Sequence, residues 1–98
     1  MPAQAPNAPQ RLFLTGASSG IGEALALYYA ARGTTLGLVG RREAALQALV
    51  TRLQQINAAP HRYYVVDVSD AAALHAAAQD FMQHVGVPQV VIANAGVS

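Results

Sequence analysis

Ninety-eight residues with a formal net charge of +1 suit one compact domain with a sizeable core, not two. Hydrophobic residues make up 53% of the chain and charged ones 11%, which excludes a wholly disordered protein, and the near-neutral balance excludes the broad basic field of a nucleic-acid binder. Cysteine is absent, removing disulfides and thiolate chemistry, and all six basic residues are arginine.

Met1 to Gln10 is rich in Pro, Ala, Gln and Asn and lacks the charged start and apolar stretch of a signal peptide. It reads as a flexible leader, with residues 11–98 forming the domain. No apolar run approaches the ~20 residues needed to span a bilayer, so the expectation is a cytoplasmic protein that does not engage membranes.

The first strand is expected at about Arg11 to Thr15. It enters the glycine-rich turn Thr15-Gly-Ala-Ser-Ser-Gly-Ile-Gly22 and then a helix from about Gly20 to Arg32, with Ile21, Leu25 and Tyr28 or Tyr29 facing inward and Gly33 as the stop. A second strand follows at 35–39. The second helix begins near Arg42 and carries the clearest period in the chain, the stripe Leu46, Leu49, Val50, Leu53 and Ile56.

The third strand runs from about Arg62 to Val66. Ser69 is a candidate N-cap for a third helix whose inner positions are Leu74, Ala77, Ala78, Phe81 and Met82, ended by Gly86 and Pro88. The fourth strand, residues 89–93, is apolar throughout, as a strand covered on both faces is. In a half sheet it would leave Val91 and its neighbours exposed and the isolated chain marginally stable.

Strands separated by helices need crossover connections and therefore pair in parallel. The expected fold is α/β: four strands in the order 3-2-1-4 with three helices, the first half of a doubly wound sheet plus one strand past the switch point. Its ligand site then lies at the carboxyl ends of the strands.

A strand, a glycine turn and a helix start together present unpaired N–H groups and the positive end of a helix dipole to an anion. Gly16 permits the tight turn, Gly20 the close approach of a pyrophosphate, and Gly22 the packing of helix on strand; Ser18 and Ser19 add hydroxyls and N–H donors.

Arg41 and Arg42 follow the second strand about 20 residues later. There an acidic residue suits the 2′-hydroxyl of NAD, whereas arginine suits the 2′-phosphate of NADP, so NADP is favoured over NAD. Asp67 and Val68 after the third strand are placed to meet an adenine ring; alternatively Asp67 and Ser69 cap the helix. Asn94-Ala95-Gly96 ends the fourth strand, and its small residues allow a nucleotide to lie against the backbone. His61, His75 and His84 show no metal-ligand spacing, and His75 and His84 read as surface residues. No metal site is expected.

These four signals, in this order, resemble the N-terminal half of the short-chain dehydrogenase/reductase family, from about Arg11 to the last residue. The resemblance implies a Rossmann-type fold and a nicotinamide cofactor. It implies phosphate contacts from backbone groups at Ser18 to Ile21, a 2′-phosphate contact from Arg41 or Arg42, adenine contacts from Asp67 and Val68, and an adenine-ribose border at Asn94, Ala95 and Gly96. In that family a Tyr-x-x-x-Lys pair performs the acid–base chemistry. With no lysine, these 98 residues contain no such pair, and no catalytic residue is expected among them. Tyr28-x-x-x-Arg32 has similar spacing but lies among helix positions.

The reading is therefore the cofactor-binding half of an NADP-dependent oxidoreductase that transfers hydride between NADP(H) and a carbonyl or alcohol. The alternatives are a stand-alone nucleotide-binding module, and an interaction fragment that self-associates or pairs with a C-terminal half through the edge of the fourth strand.

Overall fold

The computed structural model describes residues 7–94. The elements alternate: β1 (Arg11–Thr15), α1 (Gly20–Ala30), β2 (Thr35–Gly40), α2 (Glu43–Ile56), β3 (Arg62–Val65), α3 (Ala71–His84) and β4 (Val90–Ala93). The strands form one parallel sheet in the order β3-β2-β1-β4, as the alternation requires. In register, Phe13 sits beside Gly37 on one side and Val91 on the other.

Alternation along the strands sends side chains to two separate cores. Leu12 and Leu14 of β1 and Leu36 and Leu38 of β2 meet Ala26 and Ala30 of α1 and Leu46, Leu49 and Leu53 of α2. The α2 stripe thus lies where its period puts it, with Val50 and Ile56 half-buried beside it. On the opposite face Phe13 and Val39 meet Ala77 and Phe81 of α3. Gly37 makes room there, because a Cβ at that position would come within 2.7 Å of the Phe81 ring. Burying Phe81 completely contributes about 1.5–3 kcal/mol.

Three expectations are corrected. On α1 Leu25 and Tyr29 pack half-buried against the core as expected, but Ile21 is exposed like Tyr28, and the fully buried positions are Gly22, Ala26 and Ala30. The start of the helix lies against the Gly16–Ala17 backbone, where a Cβ on Gly22 would come within 2.2 Å of the Gly16 carbonyl oxygen. Asp70, not Ser69, caps α3 by accepting from the Ala73 N–H at 3.1 Å; Ser69 instead donates to Asp67. Met82 is exposed, because Phe81 one position earlier takes the core-facing place. β4 forms an edge of this sheet, and Val91 is 62% exposed there.

At the amino ends of the strands a buried polar cluster ties four segments together. The Asn57 amide nitrogen donates to the carbonyls of Ala30 and Thr34, both at 3.0 Å, and its oxygen accepts from the Ala59 N–H at 2.8 Å. The Leu36 N–H donates to His61 Nδ1 at 3.0 Å, which leaves the proton on Nε2 to donate to the Asn57 carbonyl at 3.2 Å. The Thr34 hydroxyl donates to the Pro9 carbonyl at 2.7 Å, and the Thr35 N–H to that of Gln10 at 2.9 Å, anchoring the chain just ahead of β1.

Candidate functional site

At the carboxyl ends of the strands the glycine turn between β1 and α1 is shaped by two close approaches. Gly16 has φ +70°, and a Cβ there would lie 2.2 Å from the Asn94 carbonyl oxygen. A Cβ on Gly22 would lie 2.2 Å from the Gly16 oxygen. Both positions therefore require glycine. Gly20 differs: a Cβ there would meet nothing within 4 Å, because it faces open space.

Ser19 organises the turn. Its hydroxyl donates to the Gly16 carbonyl at 2.8 Å and accepts from the Gly22 N–H at 3.1 Å, as an N-cap does. The Asn94 side-chain amide, arriving from the end of β4, donates to the same hydroxyl at 3.1 Å and lies 3.4 Å from the Gly16 carbonyl. The Ala17 N–H donates to the Val39 carbonyl at 2.9 Å. Among the described residues, the N–H groups of Ser18, Gly20 and Ile21 hydrogen bond to nothing. Unpaired donors at the positive end of a helix dipole form an anion-binding concavity.

The turn forms one wall of a cavity of about 710 Å³. Gly16, Ser18, Ser19, Gly20, Arg41, Arg42, Asp67, Val68 and Asn94 all line it, so residues expected from four separate loops come together. Gly40 and Val66, the residues before Arg41 and Asp67, line it as well and were not expected. A glycine closing a strand opposite a glycine turn was the available signal for Gly40, where a Cβ would crowd the Ser18 hydroxyl at 2.8 Å. Ile21 and Gly22 are not part of the lining: the Ile21 side chain is exposed, and Gly22 is buried beneath the helix. Ala95 and Gly96 fall outside the described residues.

The charges around the cavity differ in their commitments. Arg42 donates through Nη2 to the Ser18 carbonyl. Arg41 is exposed and makes no hydrogen bond or salt bridge among the described residues. The Asp67 carboxylate accepts from the Ser69 N–H at 3.0 Å and its hydroxyl at 2.8 Å. These bonds, with a smaller pull from Arg41, hold its pKa below the ordinary carboxylate value. Asp67 is therefore an anion facing a cation across the cavity. The Thr15 hydroxyl is buried with no hydrogen-bond partner among the described residues.

The remaining titratable groups have structural partners. Asp80 on α3 accepts from the Tyr64 hydroxyl at 2.6 Å and Arg62 Nε at 3.1 Å and pairs with His84 at 3.1 Å, binding α3 to β3. Partial burial first, and then Asp80, push the Tyr64 phenol above its ordinary pKa. Arg32 stacks 3.5 Å from the Tyr28 ring centroid on the outside of α1, away from the cavity. Among the described residues no cluster of His, Asp or Glu is arranged to hold a metal ion. No helix among them is long and apolar enough to cross a membrane.

The family described as short chain dehydrogenase matches residues 10–98. A dehydrogenase/reductase SDR family member 7B from Xenopus tropicalis is 39% identical over 90 residues, covering 87% of this chain and 29% of that protein. The crystal structure of L-sorbose reductase from Gluconobacter frateurii, complexed with NADPH and L-sorbose, superposes with a TM-score of 0.83 at 27% identity. That match covers 91% of this chain and 34% of the reductase. An NAD⁺-bound xylitol dehydrogenase superposes with a TM-score of 0.71 at 27% identity, over 76% of this chain and 28% of its own. The chain thus spans about a third of the length of the proteins it matches, and the two solved structures hold NADPH and NAD⁺ respectively.

Proposed function

This chain belongs to the short-chain dehydrogenase family, and from that membership we propose that it is the cofactor-binding part of an NADP(H)-dependent oxidoreductase. The observation that carries the reading is one cavity lined by Ser18 and Gly20, whose N–H groups are unpaired at a helix start, and by Arg41, which makes no hydrogen bond or salt bridge among the described residues. The donors of Ser18, Gly20 and Ile21 suit the pyrophosphate, and the open face of Gly20 lets it approach the backbone. The Arg41–Arg42 side of the cavity suits the 2′-phosphate that distinguishes NADP from NAD. Asp67 and Val68 would border the adenine, and Asn94, with Ala95 and Gly96 after it, the adjoining ribose.

A bound dinucleotide would give or accept a hydride; the residues of this chain would bind and orient the dinucleotide. Hydride exchange with a carbonyl or alcohol belongs, in this reading, to a protein that also carries the Tyr-x-x-x-Lys pair, which these 98 residues lack. The exposed edge at Val91 is where a further strand, from a C-terminal half or another copy, would extend the sheet. A cytoplasmic setting suits a cysteine-free dinucleotide binder.

Thermal unfolding with each dinucleotide tests the reading. A ligand at 100 times its dissociation constant adds about 2.7 kcal/mol, which raises the Tm of a domain this size by about 11–22 °C. NADP⁺ is expected to give that rise at a lower concentration than NAD⁺. Equal potency would remove the 2′-phosphate contact, and no shift with either would overturn the site.

A further inference from the structure

The two arginines after β2 sit side by side in sequence but are bound differently. Arg42 is the N-cap residue of α2 and uses its side chain not on that helix but on the Ser18 carbonyl, 24 residues earlier. Arg41 lines the same cavity with its guanidinium uncommitted among the described residues.

Ser18 stands at the middle of the glycine turn, where the chain bends between the Gly16 corner and the Ser19 cap. The turn rests on the end of β2 at three neighbouring points. The Ala17 N–H holds the Val39 carbonyl at 2.9 Å. The Ser18 side chain lies over Gly40, where no Cβ intervenes. The Arg42 guanidinium closes over the Ser18 carbonyl. The third point, together with the Ser19 N–H that donates to the Gly16 carbonyl at 3.3 Å, holds the Ser18–Ser19 peptide from both sides.

We propose that Arg42 is a positioning residue that braces the phosphate-binding turn, and that discrimination of NADP from NAD rests on Arg41 alone. The inference builds on the dinucleotide reading above and divides a role that the adjacent arginines otherwise share. A guanidinium committed to a carbonyl acts on both dinucleotides equally, since both carry the pyrophosphate. A free guanidinium acts only where a 2′-phosphate is present.

Titration calorimetry of the 98-residue chain with NADP⁺ and NAD⁺ tests this, using Arg42→Met, Arg42→Lys and Arg41→Met, with urea midpoints to confirm that each variant folds. In Arg42→Met both affinities are expected to fall by a similar factor, about tenfold for a lost charge-assisted hydrogen bond. Their ratio stays at the wild-type value. Arg42→Lys, which keeps a donor, restores most of both. Arg41→Met is expected to weaken NADP⁺ about tenfold or more and leave NAD⁺ unchanged, and to remove the extra salt dependence of NADP⁺ binding. An Arg42→Met chain that loses NADP⁺ selectively, or that loses neither ligand, overturns the bracing role while leaving the dinucleotide site intact. A wild-type chain that binds neither dinucleotide overturns the site itself and this inference with it.

Discussion

The two ends of the sheet handle polar groups in opposite ways. At the amino end, Asn57 and His61 are buried, and each of their side-chain nitrogens and oxygens has a partner inside the chain. At the carboxyl end, the N–H groups of Ser18, Gly20 and Ile21 and the guanidinium of Arg41 have none among the described residues. A buried donor or acceptor left unpaired costs about 1–3 kcal/mol, so the amino end holds together only because it is closed. The carboxyl end faces a cavity, where unpaired donors are open to solvent and carry no such penalty. Polar residues near strand ends are therefore not equivalent: some are mortar, and others face an open cavity.

The largest expected effect lies at the closed end. Asn57→Ala removes the donor to the Ala30 and Thr34 carbonyls and the acceptor of the Ala59 N–H, and leaves three backbone groups in apolar surroundings. A loss of about 3 kcal/mol in unfolding free energy follows, readable from the urea midpoint. A loss below about 1 kcal/mol, within reach of an ordinary surface change, would mean that this end is wetter than its burial implies and would break the contrast.

The next effect is a pH dependence. Burial pushes the His61 pKa below its ordinary value, opposed more weakly by the Asn57 carbonyl. The Leu36 N–H points at Nδ1, so a proton there would face a donor instead of an acceptor. Because the folded pKa is depressed, the unfolded chain binds the proton more readily. The stability from neutral His61 is thus fully present above about pH 6.5, the unfolded value, and is lost as pH falls toward the folded value. For one proton the slope cannot exceed about 1.4 kcal/mol per pH unit. Asp67 and Asp80, also held below their ordinary values, lose their contributions only at more acidic pH. Urea midpoints measured from pH 7.5 to 5 should therefore decline in the wild type and flatten in His61→Gln. A decline that persists in the variant would assign the effect elsewhere.

The open end was far more legible from sequence than the closed one, for a physical reason. Its turn depends on glycines that no other residue replaces, and its loops all end at one edge because parallel strands align their carboxyl ends. Motif spacing alone therefore places Gly16, Arg41, Asp67 and Asn94 around one cavity. The Asn57–His61 cluster joins the end of α1, the start of β2 and the α2–β3 connection, and no local spacing relates those segments. The inner face of α1 was misread for a related reason. Large apolar residues usually mark a buried face, but here the fully buried positions are the small residues Gly22, Ala26 and Ala30, and Ile21 and Tyr28 point outward. Gly40 joined the site unannounced because its role is to leave space.

The smallest expected change in stability separates the two kinds of glycine within the open end. A Cβ on Gly22 would strike the Gly16 carbonyl, whereas one on Gly20 would meet nothing within 4 Å. Gly20→Ala should therefore shift unfolding free energy by no more than about 0.5 kcal/mol, aided by alanine's better helix propensity in the first turn of α1. The same methyl group projects into the space assigned to the pyrophosphate. Dinucleotide affinity is thus expected to fall about tenfold or more, as for overpacking by roughly 1.4 kcal/mol, while the urea midpoint stays put. If the midpoint instead drops with affinity unchanged, Gly20 belongs with Gly22 as a packing residue. The open end would then be open to solvent without being shaped for a ligand.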